Sequence, residues 1–417
     1  MKSLFQCCGS KKVFWNVLTK ELSMFKVVAK FCYLLIFLLG MSHIAYSAPQ
    51  YRLITIGNLP GADGSGVADI NDNGQVVGSS FSSDGNYSHA FIYDPTTGLN
   101  DLGVVPGDAS SYAYGVNNRG DVVGESFLPG GGSRAFIYSS TSGMTSLGGL
   151  PGWSNSTAYS INDLGTVVGK SYSQNQNLSR GFIYKPGAGI YDPGILPGEV
   201  TEAQDVNNSD TIVWHKITPN VTVGTYLYDS NGYLQAIGGL QPGGGYNGQS
   251  LSNIGHMAGT TIVTDSSSGK KSDHAILTGL PGSPAVDVGF LPGTSYAWAY
   301  GVNDLDQVVG DTGILTNSAF LYSEGSLCNI NQLLDLSDPN TASWVGAGGH
   351  ICTAKAINDS GWIAAQGVMP PYPIGGGAYA YPPQQAFLLV PVPEPITLVL
   401  LVFGGIAFLA LGWRRSV

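Results

Sequence analysis

Five histidines, His89, His215, His256, His274 and His350, lie in the body of the chain. A zinc site built from them would need a His-x-x-x-His pair or a cysteine at ligand spacing, and neither occurs. His89 and His274 take the place that Arg134 and Arg180 hold in sister segments, which marks them as strand-edge residues. Asp69-Ile70-Asn71-Asp72-Asn73-Gly74 opens like a calcium loop, in which alternate side-chain oxygens converge on a hard cation, and Asp205 to Asp210 is a partial copy. Its twelfth position, where a bidentate glutamate belongs, is Ser80, so a hairpin turn accounts for the run better than calcium. Residues Gly165 to Ser171, GTVVGKS, imitate a phosphate loop but are one residue short, and sister segments read VVGSS and VVGES. No helix follows to present backbone amides to a phosphate. No Gly-x-Ser-x-Gly elbow occurs either. The expectation is no catalytic residue, no metal and no cofactor. The alternative is a glycosidase-like pair of carboxylates, brought together from distant parts of the chain.

The two ends carry stronger signals. Lys26 and Lys30 precede the apolar run FCYLLIFLLG, and small residues follow at Ala45 and Ser47, the pattern of an export signal over residues 1 to 47. Met24 begins a compact signal of its own, so the true start is Met1 or Met24, and a retained anchor is the alternative to cleavage. At the other end, Val392-Pro393-Glu394-Pro395 is followed by an uncharged stretch from Ile396 to Trp413 and then by Arg414-Arg415. Such a stretch, about 27 Å long as a helix, just spans a hydrocarbon core, and the paired arginines should stay cytoplasmic.

Between these ends the chain is acidic. Of 18 basic residues, six fall in the leader and two in the tail, and leader and tail hold one each of the 28 acidic residues, leaving a body sixteen charges negative. That opposes nucleic-acid binding, which relies on phosphate neutralisation by Lys and Arg. Cys7, Cys8 and Cys32 would leave with the leader, so the mature chain keeps Cys328 and Cys352. An oxidising compartment favours one disulfide between them, worth about 3 kcal/mol for a loop of about 25 residues.

The elements that must position any site come from repeats. GVADINDNGQVVGSS recurs as AYGVNNRGDVVGES, AYSINDLGTVVGKS, AQDVNNSDTIV, SLSNIGHMAG, AYGVNDLDQVVGD and AKAINDSGWIAA. The first turn residue falls at Asn71, Asn117, Asn162, Asn207, Ser252, Asn303 and Asn358, a period near 45 that belongs to propeller blades or solenoid coils. Each unit reads as four short strands: an apolar run, an Asn-x-x-Gly or Asp turn, a Val-Val-Gly run, an Ala-Phe-Ile-Tyr run and a Leu-Gly-x-Leu-Pro-Gly run. The chain begins with a fourth-strand sequence, LITIGNLPG, and its last unit lacks one after Ala386 to Leu389. The first strand would complete the last unit and close a ring, whereas a solenoid would need caps. The fold expected over residues 48 to 391 is therefore an all-β propeller of seven four-stranded blades. The aromatic residues of the third strands should pack between blades, and small residues of the first strands should line a narrow channel.

Two resemblances follow. His89-Ala90-Phe91, varied as Arg134-Ala135-Phe136, Arg180-Gly181-Phe182, Ser318-Ala319-Phe320 and Gln385-Ala386-Phe387, resembles the HAF extracellular repeat. Blades four and five depart from it, at Tyr226-Leu227-Tyr228 and His274-Ala275-Ile276, and Trp214 replaces a repeat glycine. The motif Val392 to Pro395, the apolar stretch and the arginines over residues 392 to 417 resemble a PEP-CTERM sorting signal. That resemblance implies recognition by an exosortase-type membrane transpeptidase in an exopolysaccharide-producing Gram-negative bacterium, with delivery to the cell surface or matrix. Two long segments, Ser323 to Cys352 and Gly361 to Gln385, break the repeat and read as solvated linkers or sticky loops. Trp153, Trp298 and Trp344 fall between strand runs. The function expected is non-catalytic display of loops for adhesion or binding of exopolysaccharide and other glycans. The alternative is a polysaccharide hydrolase or lyase, favoured if carboxylates or histidines cluster at one mouth of the channel.

Overall fold

The computed structural model describes residues 49–393 apart from 86–87, 174–177, 197–199, 219–220, 241–245, 280–282, 314–316, 376–377 and 381. The leader, Glu394, Pro395, Arg414 and Arg415 lie outside the described residues, as does the apolar tail. Among the described residues no helix is long and apolar enough to cross a membrane.

Seven four-stranded antiparallel sheets follow one another along the chain as propeller blades. Blade one is typical, with strands Gly64–Ile70, Val76–Phe81, Ser88–Asp94 and Gly98–Gly103 in that order from the axis outward. Blade seven takes His350–Ile357, Ile363–Val368 and Gln385–Pro391 from the end of the chain and Tyr51–Thr55 from its beginning. Tyr51 pairs with Pro391 and Thr55 with Phe387, the ring closure anticipated from the repeats.

Two periodic features explain the sequence of each blade. Phe91, Phe136, Phe182, Phe320 and Phe387 are fully buried, and the first four join clusters that span adjacent blades. Burying each such ring contributes roughly 2 to 3 kcal/mol. The glycine of the Val-Val-Gly run is required by close approach: a β-carbon on Gly78, Gly124, Gly169 or Gly310 would sit about 2 Å from the carbonyl oxygen of Gly66, Tyr112, Thr157 or Trp298. Blade four lacks this glycine yet keeps its fold. Its Trp214 lies where a β-carbon on Gly181 of blade three would stand, 2.4 Å from the ring, so the glycine in Arg180-Gly181-Phe182 is the complement of the tryptophan.

Ser323 to Cys352 is not a solvated linker. It carries the fourth strand of blade six, Ser326–Asn329, a single 3-10 turn over Ile330–Gln332 and a helix, α1, over Pro339–Gly346 that Asp338 caps by accepting the Thr341 amide. This segment covers the free edge of the closing strand. Tyr51 N–H donates to Leu333 O at 2.7 Å, Asp335 N–H to Tyr51 O at 2.8 Å, and Leu53 N–H to the buried Thr341 hydroxyl at 3.0 Å. Trp344 lies in α1 and packs on Phe387 with ring centroids 4.6 Å apart, and Trp298 lies on the first strand of blade six. Covering an edge in this way removes a template for unwanted strand pairing.

The expected disulfide is not formed. Cys328 sits on the outermost strand of blade six, opposite Leu321, whereas Cys352 sits at a bulge on the innermost strand of blade seven. The Cys352 thiol turns away onto its own hairpin partner, donating to Gln366 O at 3.3 Å, and burial raises its pKa. Thiol titration of the purified propeller without reductant should therefore find both cysteines free after denaturation, with Cys352 unreactive before it. A single mixed-oxidation band or no free thiol would overturn this assignment.

Candidate functional site

Each first-to-second-strand turn is held by its own asparagine. In blade one, Asn71 Oδ1 accepts the amides of Asn73 and Gln75 at 3.1 and 2.9 Å, and the fourth turn position is left-handed. Glycine takes that position in five blades, while Asp210 (φ 57°) and Asp306 (φ 59°) take it in blades four and six. The asparagine amide then reaches the next blade. Asn71 donates to Asn117 O, Asn117 to Asn162 O, Asn162 to Asn207 O and Asn207 to Ser252 O, and Asn303 to Asn358 O. Asn358 donates to Asn71 O at 3.0 Å, across the junction of the two chain ends. Ser252 alone has no amide to pass on.

A second ring is complete. The amides of Asp72, Asn118, Asp163, Asn208, Asn253, Asp304 and Asp359 each donate to the side-chain oxygen of the same position one blade on, at 2.7–3.2 Å. These oxygens, and those of Asn71, are thus engaged with backbone N–H groups. Ser80, the would-be twelfth calcium ligand, accepts the Leu59 amide instead. Among the described residues no group of three His, Cys, Asp or Glu side chains could hold a metal ion. The histidines lie in separate places: His89 meets Asp101, His256 meets Asp306 and His274 meets Asp287, while His350 meets Asn317 O.

Inside these rings lies a cavity of about 550 Å3 at the mouth of the central channel. The side chains that line it were hidden in the sequence. Every first strand carries a bulge at the same register, and the residue skipped by the pairing is Ala68, Tyr114, Tyr159, Gln204, Gln249, Tyr300 or Lys355 in turn. A bulge re-aims the side chain it releases, and all seven of these residues line the cavity. In the sequence they read as the variable letter between two small repeat residues, a weak signal that becomes informative only once the bulge is known.

Two carboxyls share this wall. Asp69 accepts the amides of Ile70 at 2.8 Å and Val116 at 3.0 Å, and Asp205 accepts those of Val206 at 2.8 Å and Leu251 at 2.7 Å and the hydroxyl of Ser160 at 2.6 Å. Burial outweighs these hydrogen bonds and pushes Asp69 up to about 7 and Asp205 up to about 6.

Further along the same strands, the residue after three of the four Val-Val-Gly runs clasps the next blade. Glu125 accepts from Tyr114 at 3.3 Å and Ser133 at 3.4 Å within its blade and from Thr157 in blade three. Lys170 pairs with Glu202 of blade four at 2.7 Å and lies 5.6 Å from the Tyr159 and Tyr172 ring centres. Asp311 accepts from Thr353 of blade seven at 2.9 Å, and Lys355 lies 3.8 Å from the Tyr300 ring centre. Burial raises the Glu125 and Asp311 carboxyls and lowers His215. Burial also opposes the Lys170 charge, but Tyr159 and Glu202 outweigh it and hold the ammonium above its ordinary range. Glu125, Lys170, Glu202 and His215 thus lie close enough to shift one another between blades two and four, while Asp311 stands apart with Thr353.

No family model and no curated protein matches the chain. Solved structures do share its fold. An oligogalacturonate lyase in complex with manganese is similar at 11% identity over 84% of this chain and 95% of its own, with a TM-score of 0.52. Virginiamycin B lyase from Staphylococcus aureus follows at 11% identity, 82% and 100% coverage and a TM-score of 0.47. TolB from Acinetobacter baumannii is matched at 11% identity over 60% of this chain, which spans 61% of TolB, with a TM-score of 0.43. The class defined by blades and rings is a seven-bladed β-propeller with a polar central channel. At 11% identity the likeness to the oligogalacturonate lyase is one of fold.

The site predicts two outcomes. Asn358→Ala removes one inter-blade and two turn hydrogen bonds and should cost about 2 to 4 kcal/mol in urea unfolding. Ser252→Ala, which loses only the bond from His256 N–H, should cost less. The Asp69 carboxyl is raised from 3.8 to about 7, so the folded state holds a proton that the unfolded state has released. Its stabilising share is present below pH 4 and lost as pH rises toward 7. Asp69→Ser, the residue blade three uses at Ser160, should therefore gain on the parent protein between pH 5 and pH 8 in paired urea melts. An unchanged difference would show that Asp69 titrates normally.

Proposed function

We propose that this is an exported cell-surface or matrix propeller that binds a glycan at the mouth of its channel without turning it over. The observation that carries this reading is the bulge ring. It brings three tyrosines, two glutamines and one lysine to the wall of a cavity of about 550 Å3, with the Lys355 ammonium seated over the Tyr300 ring. Aromatic faces stack on sugar rings and amides bond hydroxyls. The carboxylates at that mouth are engaged with backbone amides, which disfavours their use as a free nucleophile or base. The notional binding surface thus moves from the long loops to the channel.

The sequence supports the delivery. The leader over residues 1 to 47 directs export, and the Val392 to Pro395 motif, apolar stretch and paired arginines suit membrane anchoring and processing by an exosortase-type transpeptidase. The ends Arg414 and Arg415 would stay cytoplasmic and the propeller would lie on the far side.

A specific observation favours the second reading, a polysaccharide-acting hydrolase or lyase. Glu125, raised by burial and bonded to Tyr114, has the character of a general acid, and the Glu202 carboxylate stands in the next-but-one blade. One experiment separates the two. The purified protein is offered a polysaccharide array and followed for retention and for released product. Retention that falls about tenfold in Tyr159→Ala without product would support binding. Product release abolished by Glu125→Gln would establish the enzyme, and silence on both would overturn the glycan reading.

A further inference from the structure

The closing blade fixes where the chain leaves the propeller. In an antiparallel blade the turn joining strands three and four lies at the same end as the turn joining strands one and two. Blade one shows this, with Asp94 and Gly98 paired at its outer turn. Blade seven has no outer turn, because Pro391 ends one of those strands and Tyr51 begins the other. Val392 N–H donates to Gln50 O at 2.7 Å. Both ends of the described chain thus stand on the channel-mouth face, at its rim.

From there only Pro393, Glu394 and Pro395 separate the propeller from the apolar residues 396 to 413. An extended chain gains at most about 3.5 Å per residue, so these three reach about 10 Å. The same face carries three of the five most exposed large apolar side chains among the described residues, Leu305 at 66%, Tyr233 at 64% and Leu164 at 58%, and Leu336 at 60% lies at the outer edge of the closing strand. Leu164 and Leu305 hold the third position of their Asn turns, where their amides donate to Asn162 and Asn303 and leave the side chains at the turn tips. Tyr233 closes the outer turn of blade four onto Asp229. Leu336 follows Asp335, whose amide donates to Tyr51 beside the exit point. Scattered apolar residues need no explanation. Three on the one face from which an apolar tail departs, with a fourth at its rim, match what a bilayer interface takes up.

We infer that the channel-mouth face rests against a zwitterionic bilayer while the tail is inserted, with Leu164, Tyr233 and Leu305 at headgroup level. The inference rests on the reading of residues 396 to 413 as a membrane anchor. Asp72, Asp163, Asp304 and Asp359 on the same face select against anionic lipid, because their charge is repelled by it. The opposite face, with Leu128 and the Tyr372–Gly375 hairpin strand, points to the medium.

The test uses the full chain in phosphatidylcholine vesicles. Leu305→Cys and Leu128→Cys variants are treated with a bulky, impermeant maleimide, and labelling is read at each site by peptide mass spectrometry. The ratio of the Leu305→Cys rate to the Leu128→Cys rate should fall about fivefold or more from detergent to vesicles. Vesicles containing phosphatidylserine should show a smaller fall. Protein that floats with the vesicles at an unchanged ratio would overturn the orientation while leaving the anchor intact. Protein that fails to float would overturn the anchor, and the orientation with it.

Discussion

Closure of the ring is the constraint on which the rest of this structure depends. Six blades come from continuous chain, but the seventh exists only because Tyr51–Thr55 pairs with Gln385–Pro391 across more than 300 residues of sequence. Until that pairing forms, two blade faces and two sheet edges stand open, which is the condition under which β-proteins aggregate. The molecule secures the junction three times over. Strand pairing joins the ends, Leu333, Asp335 and Thr341 cover the outer edge, and Asn358 donates to Asn71 at the axis.

The inter-blade contacts combine repetition with individuality. The Asn and Asx rings use the same bond in nearly every blade, so they fix the spacing of blades without telling one from another. The clasps below them differ at the four interfaces that carry them: Glu125 with Thr157, Lys170 with Glu202, Asp311 with Thr353, Gln366 with Val67 O. Trp214 and Gly181 form another unequal pair. Unequal contacts give those blades a preferred neighbour and disfavour packing in the wrong order. That role also accounts for most of the buried charge, so its presence is weaker evidence for catalysis than the bulge residues are for binding.

Much of this was legible in advance, for physical reasons. A period near 45, turn asparagines and third-strand phenylalanines are local or periodic requirements, and the displaced fourth-strand sequence at Leu53 to Gly61 pointed to closure. The disulfide and the linker reading of Ser323 to Cys352 failed because both turn on where distant strands meet. Cysteine count says nothing about the radial position of Cys328 and Cys352, and polar composition concealed a capped helix that seats on a strand almost 300 residues earlier.

The sequence by itself determined the blade count, the strands within each blade and the turn chemistry, because each is encoded in contiguous residues or in their repetition. Tertiary structure alone decided which side chains share the channel, since the bulge that frees Tyr114, Tyr159, Tyr300 and Lys355 arises from pairing between strands. It also decided on which face the chain ends emerge. A strand's direction within a closed sheet is set by its partner, and no residue of the tail carries that information.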